Sequence, residues 1–315
     1  MAFEIPKIDY TGKIRDITLG KGDKAVTVGG ATCYPFHLFE GEMPHLPKIA
    51  MEVYDYEPDD WAEAAVEPFK DVIGDPAAWA KKNVEEYGAE LIALQLRSID
   101  PNGLNRSAQE AADIAKSVIE AVDVPVILWG VANHEKDTEV LRLIAEQCEG
   151  MSLVLGPVEE GDYKQIGAGA IAYKHTVIAS TPIDINLAKQ LNILLDNLGV
   201  PANQIIVDPT TGALGYGLEY TYSVMERDRM AALTQEDVKL QYPIICNVGY
   251  EAWKMKEAKI KEEDEPILGN AKDRAIIIEC ITAMSLLLAG ADVLIMRHPE
   301  SIELIRKMIT GLTTD

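Results

Sequence analysis

The sequence contains few residues of the types that bind metals or form crosslinks. Its 315 residues include only 4 cysteines, which are far apart and form no CxxC pair: Cys33, Cys148, Cys246 and Cys280. A disulfide framework is not expected in a chain of this length, nor is an iron–sulfur cluster held by this chain alone. The 5 histidines show no HxH or HExxH spacing. We therefore expect no zinc or iron site on this chain.

Positive charge and long apolar runs are also scarce. The chain has 29 basic and 51 acidic residues and a formal net charge of −22, which disfavours nucleic acid and anionic membranes as partners. Its most apolar run, Ala275–Ala289, contains Glu279 and is shorter than the ~20 residues that a membrane span needs. The N-terminus lacks the pattern of a signal peptide. We expect a cytoplasmic protein that meets other proteins.

The common catalytic and nucleotide-binding motifs are missing as well. The sequence has no GxSxG elbow, no Walker A motif and no GxGxxG after its first strand. The residues alone therefore identify no catalytic group, and whether the chain is an enzyme by itself stays open.

Short apolar runs alternate with helical segments along most of the chain, and they lack the polar alternation of half-exposed strands. This pattern is typical of parallel strands buried on both faces. The eight predicted strands cover residues 49–53, 91–96, 125–130, 152–155, 176–180, 205–208, 243–248 and 292–297. Eight strands that are each followed by a helix predict an α/β fold, a (β/α)8 TIM barrel. A doubly wound open sheet is the alternative.

The segment before the barrel predicts a β-hairpin at residues 13–30, with turn chemistry at Lys21-Gly22-Asp23. We assign residues 1–48 to an N-terminal segment packed on the outside or across the bottom of the barrel, and residues 49–315 to the barrel. Two long strand-to-helix connections, 54–75 and 250–269, are expected on its carboxyl face. We interpret the charged stretch Lys254–Glu265 mainly as solvated surface.

One connection is rich in glycine. The strand Ile205–Asp208 is followed by Gly212, Gly215 and Gly217 before a helix begins, and glycines there let the main chain approach a ligand closely. Leu214, Tyr216 and Tyr220 in and after this loop favour a flat, partly apolar ligand. The alternative interpretation is a tight strand-to-helix turn without a ligand.

Polar residues at the predicted strand ends form a ring of amides and carboxylates, with few bases. They are Glu52, Asp55, Gln95, Arg97, Asp100, Asn133, Glu159, Ser180, Asp184, Asn186, Asp208, Asn247, Arg297 and His298. Such a rim suits binding of a large neutral or zwitterionic ligand better than hydrolysis. Asp184 and Asn186 could equally cap a helix, and so could His298.

Five segments together resemble a known family: residues 34–53, 180–201, 205–233, 243–258 and 294–302. They contain DP-x-x-G-x-LGYG-x-EY, GYEAWK and MRHPE. The chain resembles, nearly end to end, the small subunit of the corrinoid iron–sulfur protein of the Wood–Ljungdahl pathway, also called the delta subunit of the acetyl-CoA decarbonylase/synthase complex. A second glycine is common in this family where Ala213 stands, which is a minor departure.

The resemblance implies a TIM barrel similar to pterin-binding methyltransferases. It implies a heterodimer with a large subunit that carries the [4Fe–4S] cluster, and a cobamide shared between the two over the barrel mouth. The heterodimer would accept a methyl group from methyltetrahydrofolate through a separate methyltransferase and deliver it to acetyl-CoA synthase. On that basis, Gly215, Tyr216 and Gly217 are expected against the corrin ring or its side chains.

The expected polar contacts to the cobamide are Asn186, Asp208, Asn247, Arg297 and His298. No histidine is evident as a lower axial ligand, so a base-off cobamide is expected, with this subunit shielding its upper, methyl-bearing face. Two alternatives remain: a pterin-dependent methyltransferase that grips the pterin with Asp208, Asn186 and Asn247, and a structural partner whose mouth never contacts cofactor.

Overall fold

The architecture was analysed in a computed structural model, which describes residues 5–314. Eight parallel strands close into a barrel in the order β10-β3-β4-β5-β6-β7-β8-β9. These strands are β3 (Lys48–Tyr54), β4 (Leu91–Gln95), β5 (Val126–Trp129), β6 (Val154–Val158), β7 (Thr176–Ser180), β8 (Ile205–Asp208), β9 (Ile244–Asn247) and β10 (Ala291–Met296). The predicted TIM barrel is confirmed, and the open sheet was the wrong alternative.

Helices alternate with these strands around the barrel. They are α1 (Glu63–Val66), α2 (Pro76–Glu85), α3 (Ala108–Ala121), α4 (His134–Gln147), α5 (Tyr163–Tyr173), α6 (Ile185–Leu198), α7 (Leu218–Thr234), α8 (Val248–Trp253), α9 (Lys256–Lys259), α10 (Ala271–Ala289) and α11 (Pro299–Thr313). No helix among residues 5–314 is long and apolar enough to cross a membrane.

The helix boundaries follow local chemistry. Ser107 caps α3 through a capping box with Glu110, which satisfies two backbone donors of the first turn. The Asp184 side chain accepts from two backbone amides at the start of α6, and Gly199 ends that helix in the left-handed conformation. The capping interpretation of Asp184 is therefore confirmed.

The leucines of α6 do not all face the core. Leu191 and Leu195 are buried in the main hydrophobic cluster, whereas Leu187 is 38% exposed. Leu187 and Leu194 line a groove of about 310 Å³ beside the barrel. The leucines of α6 are thus shared between the core and this groove.

The N-terminal hairpin consists of β1 (Ile17–Leu19) and β2 (Val26–Val28), paired antiparallel. It lies at the amino ends of the barrel strands, because the Arg15 amide donates to the Gln241 carbonyl at 3.0 Å and Lys21 Nζ donates to the Gly150 carbonyl at 3.1 Å. Ile17, Leu19, Val26 and Val28 are buried. The hairpin therefore lies across the bottom of the barrel, one of the two positions considered above, while the division of the chain at residue 48 stays a prediction.

The two long connections meet on the carboxyl face, where Lys259 Nζ pairs with Asp60 Oδ2 at 2.7 Å. Trp61 of the first connection packs edge-on against Tyr54 and Trp79. In the second, residues 261–270 are exposed, in line with the predicted solvated surface, but Met255 and Ala258 are buried. The connections therefore form a structured wall beside the barrel mouth.

Candidate functional site

The carboxyl face holds a cavity in the barrel mouth with a volume of about 250 Å³. We call it the mouth cavity. Its wall includes side chains from six of the barrel's strand ends or the loops after them: Arg97, Trp129, Glu159, Ser180, Asp208 and Asn247. The register explains this convergence, because Gln95, Trp129 and Gly156 of neighbouring strands pair at the same level. Ligand sites of TIM barrels lie at this face.

Asp208 is the carboxylate at the end of β8. Its Oδ2 accepts from Ser180 Oγ at 2.6 Å, and its Oδ1 accepts from the Thr210 amide at 3.0 Å. Burial raises the pKa of the Asp208 carboxyl to about 7, against the opposing effect of the Ser180 hydrogen bond. Near neutral pH this group therefore exists in both protonation states and can donate or accept a hydrogen bond.

Asn247 belongs to a row of polar groups across the mouth. Gln95 Nε2 donates to Asn247 Oδ1 at 2.9 Å and lies 3.3 Å from Glu52 Oε2. The Asn247 backbone amide donates to Thr211 Oγ1 at 2.8 Å. These bonds hold the Asn247 side chain in the mouth cavity next to Asp208.

A second cavity of about 230 Å³ lies between the two long connections. We call it the insertion cavity. Arg97 and Tyr250 line both cavities, so they form the partition between them. The remaining wall is largely aromatic and cationic: Tyr54, Tyr56, Trp61, Trp253, Lys254 and Arg297.

Arg297 follows β10 and is only 3% exposed. Its Nε donates to Glu52 Oε1, its Nη2 donates to Tyr54 Oη at 3.2 Å, and its guanidinium carbon lies 3.6 Å from the centroid of the Trp61 ring. Burial taken alone would lower the pKa of Arg297. The combined effect of the groups around it, the Glu52 carboxylate above all, is larger and raises that pKa. A charge this deeply buried needs such partners to remain stable.

The glycine loop turns away from the mouth cavity. The Leu214 amide donates to Thr282 Oγ1 of α10 at 3.2 Å, and the Tyr216 hydroxyl donates to Glu257 Oε2 at 3.0 Å. Gly215 and Gly217 have φ angles of 77° and 92°, which favour glycine. Tyr216 is 54% exposed, so this loop forms an outer rim over α10.

The eight predicted site residues thus occupy separate places. Asp208 and Asn247 share the mouth cavity, Arg297 lines the insertion cavity, and the glycine loop forms the outer rim. Asn186 is exposed on the first turn of α6.

His298 is buried and caps α11, where its Nδ1 accepts from the Glu300 amide at 3.2 Å. It also stacks on Trp253. Burial lowers the pKa of His298 to about 4, so the ring is neutral at neutral pH.

Sequence reasoning missed the aromatic wall of the insertion cavity. Trp61 lies in a connection with no strong periodicity, and Tyr250 and Trp253 lie on the short helix α8, which begins directly after β9. The available signal was the presence of aromatic residues soon after two strand ends, Tyr56 and Trp61 after β3 and Tyr250 and Trp253 after β9. Among residues 5–314, no group of three or more metal-ligating side chains is placed to hold a metal ion.

Fold and site together define a TIM barrel with ligand-sized cavities at its carboxyl face. Solved structures with this fold include dihydropteroate synthases. One from Xanthomonas albilineans has a TM-score of 0.59 and 12% identity, covering 96% of this chain and 100% of that one. One from Coxiella burnetii, solved with pteroic acid, has a TM-score of 0.56 and 12% identity, covering 90% of this chain and all of that one. At this identity the likeness shows the fold alone.

Sequence relatives give the family. The profile described as CO dehydrogenase/acetyl-CoA synthase delta subunit matches residues 16–314. The delta subunit of the acetyl-CoA decarbonylase/synthase complex of Archaeoglobus fulgidus is 39% identical over 98% of this chain and 71% of that protein. That of Methanothermobacter thermautotrophicus is 34% identical over 97% of this chain and 77% of its own length. The chain belongs to the CO dehydrogenase/acetyl-CoA synthase delta subunit family.

Proposed function

We propose that this chain is the small subunit of a corrinoid methyl carrier, which works with a large subunit that holds the [4Fe–4S] cluster. The observation that carries the proposal is the family match over residues 16–314, together with a barrel mouth lined by polar groups such as Ser180, Asp208 and Asn247. The carrier accepts a methyl group from methyltetrahydrofolate through a methyltransferase and delivers it to acetyl-CoA synthase.

The size of the mouth cavity limits how a cobamide fits. At about 250 Å³ it is smaller than the ~300–1,000 Å³ pockets that enclose drug-sized ligands, and a cobamide is larger than such ligands. A corrin ring therefore rests over the mouth instead of entering it. Side-chain amides of the ring edge match the donors and acceptors that Asp208 and Asn247 present, whereas the exposed Tyr216 offers a flat apolar face beside the backbone of Gly215 and Gly217.

The chain's own residues would position the cofactor and exclude water. A bound cobamide supplies the cobalt centre that carries the methyl group. The barrel rim would cover the methyl-bearing face, and Arg297 would support the rim from below through Glu52 and Tyr54. His298 and Asn186 are weaker candidates for cofactor contact, because His298 is buried as a helix cap and Asn186 lies outside both cavities.

An anaerobic absorbance spectrum tests this function. The chain would be incubated with cobamide alone and, separately, purified together with its large subunit. Corrinoid and iron–sulfur bands in the complex but not in the isolated chain are expected for a shared cofactor. A complex that contains no cobalt but still transfers methyl groups would contradict the proposal.

A second candidate is direct pterin binding, as in a pterin-dependent methyltransferase. The observation that favours it is the pairing of a carboxyl group with a pKa of about 7 and the amide of Asn247 in one small cavity. A fused heterocycle with an amide edge needs such a donor–acceptor pair. Calorimetric titration of the isolated chain with methyltetrahydrofolate tests it: binding that Asp208→Ala abolishes supports this candidate, and absence of heat rejects it.

A further inference from the structure

The insertion cavity adjoins the mouth cavity, with Arg97 and Tyr250 between them, and the function proposed above places no ligand in it. Its volume is about 230 Å³, which is room for a small ligand. Most of its wall comes from two connections that an ordinary barrel does not need, 54–75 and 250–269, while Arg97 and Arg297 follow β4 and β10. The two connections are held together by the Lys259–Asp60 ion pair.

Arg297 provides a buried cation with unused hydrogen-bonding capacity. Its Nε and Nη2 atoms are bonded to Glu52 and Tyr54, but within residues 5–314 its Nη1 has no hydrogen-bond acceptor. The side chain is almost fully buried and lines the cavity. Nη1 is not one of the fully enclosed, unpartnered side-chain atoms of the described residues, so a ligand that enters the cavity lined by Arg297 can reach it.

Arg97, on the partition between the two cavities, provides a second, loosely held cation. Its guanidinium carbon stacks 4.7 Å from the Tyr250 ring centroid, and its ion pair with Asp100 spans 3.7 Å, which is beyond hydrogen-bond distance. Lys254 Nζ lies 4.9 Å from the same ring. Arg97 and Lys254 therefore contact the same aromatic ring, and because Lys254 also pairs with Glu251, Arg97 is the cation of the two that keeps its hydrogen-bond donors available.

The carboxylates at this cavity are mostly committed to other cations. Glu52 accepts from Arg297, Asp60 pairs with Lys259 at 2.7 Å, and Glu251 pairs with Lys254 at 2.5 Å. Asp59 is exposed at the cavity entrance, where solvent screens its charge. The groups left to bind a ligand inside the cavity are thus the arginine donors and the aromatic rings.

We propose that the insertion cavity binds the oxyanion of a small molecule, a phosphate or carboxylate group, between Arg97 and Arg297. Guanidinium groups present several donors in a plane and suit both oxyanions. Trp61 and Tyr250, on which the two guanidiniums stack, keep the donors in place before the ligand arrives, and such preorganisation favours binding. The site does not depend on whether the mouth binds a corrinoid or a pterin.

Isothermal titration of the full chain with inorganic phosphate at constant ionic strength tests the proposal, with sodium chloride as the reference titrant. Saturable binding is expected for phosphate and not for chloride. Arg97→Gln should weaken phosphate binding by about tenfold or more, because a charge-assisted hydrogen bond is lost. Arg227→Gln is the matched control, since Arg227 is an exposed arginine on α7, and it should bind phosphate like the original chain.

Tryptophan fluorescence gives an independent readout, because Trp61 and Trp253 line the cavity. Phosphate should change the emission of the original chain, and Trp61→Phe should reduce this change while calorimetric binding persists. Arg297 is not the test position, since its loss would leave the buried Glu52 carboxylate without a cationic partner. Equal phosphate binding by the original chain and Arg97→Gln would overturn the proposal. The proposal would also be overturned if Arg97→Gln weakened only assembly with a partner subunit. Arg97 would then bind a carboxylate of that subunit and not a small molecule.

Discussion

Two buried arginine–carboxylate pairs lie at opposite ends of the barrel, and they differ in how completely they are satisfied. At the amino end, Arg229 donates to the Gly290 carbonyl from Nε at 3.2 Å and to the Tyr242 carbonyl from Nη1 at 2.9 Å, and it pairs with Asp292. At the carboxyl end, Arg297 pairs with Glu52 and keeps Nη1 unbonded within the described residues. One arginine joins strand starts, and the other lines a cavity.

The difference shows how one kind of ion pair serves two purposes. Arg229 is surrounded by backbone carbonyls, and Asp292 also accepts from the Ile244 amide at 2.8 Å, so the cluster has no capacity left for a ligand. Arg297 stacks on aromatic rings, which hold it without consuming all its donors. In TIM barrels the amino end contributes stability and the carboxyl end carries function, and the two clusters follow this division.

The largest expected effect comes from breaking the amino-end pair. Arg229→Met should lower the free energy of unfolding by about 3–5 kcal/mol, because Asp292 and two carbonyls lose their buried partner. Urea denaturation at pH 7 measures this change. Phosphate binding by the folded fraction should stay unchanged, since the pair lies at the end of the barrel opposite the insertion cavity.

The matched control is Arg227→Met, which changes an exposed arginine on the same helix and should alter stability by less than about 0.5 kcal/mol. If Arg229→Met cost no more than this control, the amino-end cluster would have no special role in stability.

A smaller effect is expected from crowding the carboxyl-end pair. A Cβ on Gly249 would lie 2.9 Å from the Arg297 backbone nitrogen and 3.2 Å from Glu52 Cδ, so Gly249→Ala should destabilise the fold by about 1–3 kcal/mol. It should also weaken phosphate binding, because Arg297 must shift. Thermal and urea unfolding, followed by calorimetry, measure both.

Gly311→Ala is the control for this substitution, because nothing lies within 4 Å of the added Cβ and the site is within α11. It should stabilise by up to about 1 kcal/mol. Equal behaviour of the two alanine variants would show that the backbone at residue 249 has room to adjust.

Much of the fold was predictable because its signals are local. All eight barrel strands were located as short apolar runs, and Asp184, Gly199 and Pro299 mark helix ends through backbone chemistry that one residue determines. The hairpin followed from its turn residues. Each of these features depends on neighbours in sequence, so one sequence sufficed.

The site was less predictable because its geometry depends on distant segments. Strand-end position alone placed Asp208 and Asn247 together, but it could not show that Arg297 turns toward Glu52, 245 residues away. Nor could it show that the glycine loop packs on α10 through Thr282. The aromatic wall formed by Trp61 and Tyr250 needs both connections folded against each other, which no local pattern encodes.

Two buried aspartates should make the stability of the fold depend on pH. Burial raises the pKa of both Asp208, in the mouth, and Asp228, on α7, to about 7. Between about pH 4 and pH 7 both side chains are therefore protonated in the native state but ionised in the unfolded chain, where the aspartate pKa is near 3.8. Because the native state binds more protons, the free energy of unfolding should fall as pH rises over this range. Unfolding free energies measured between pH 4 and 8 test this slope.

The variants should separate the two groups. Asp228 Oδ1 has no hydrogen-bond partner within the described chain. Asp228→Asn should therefore raise the free energy of unfolding by about 1–2 kcal/mol at pH 8 and by almost nothing at pH 4. Asp208→Asn should gain less, since both Asp208 oxygens accept hydrogen bonds and an amide has one acceptor. If neither substitution changed the pH dependence of the unfolding free energy, groups other than these two aspartates would take up the protons.

The smallest effect on stability, and a sharp test of the outer rim, is expected from Tyr216→Ala. Tyr216 is exposed and its hydroxyl bonds only Glu257 in the described chain, so unfolding free energy should change by less than about 0.5 kcal/mol. Corrinoid occupancy of the complex with the large subunit should nevertheless fall, if the ring rests on this tyrosine. Tyr220→Ala is the matched control, because Tyr220 is 64% exposed and lies just beyond the glycine loop, in the first turn of α7. Equal occupancy in the two variants would remove the glycine loop from the cofactor site and leave Asp208 and Asn247 as its candidates on this chain.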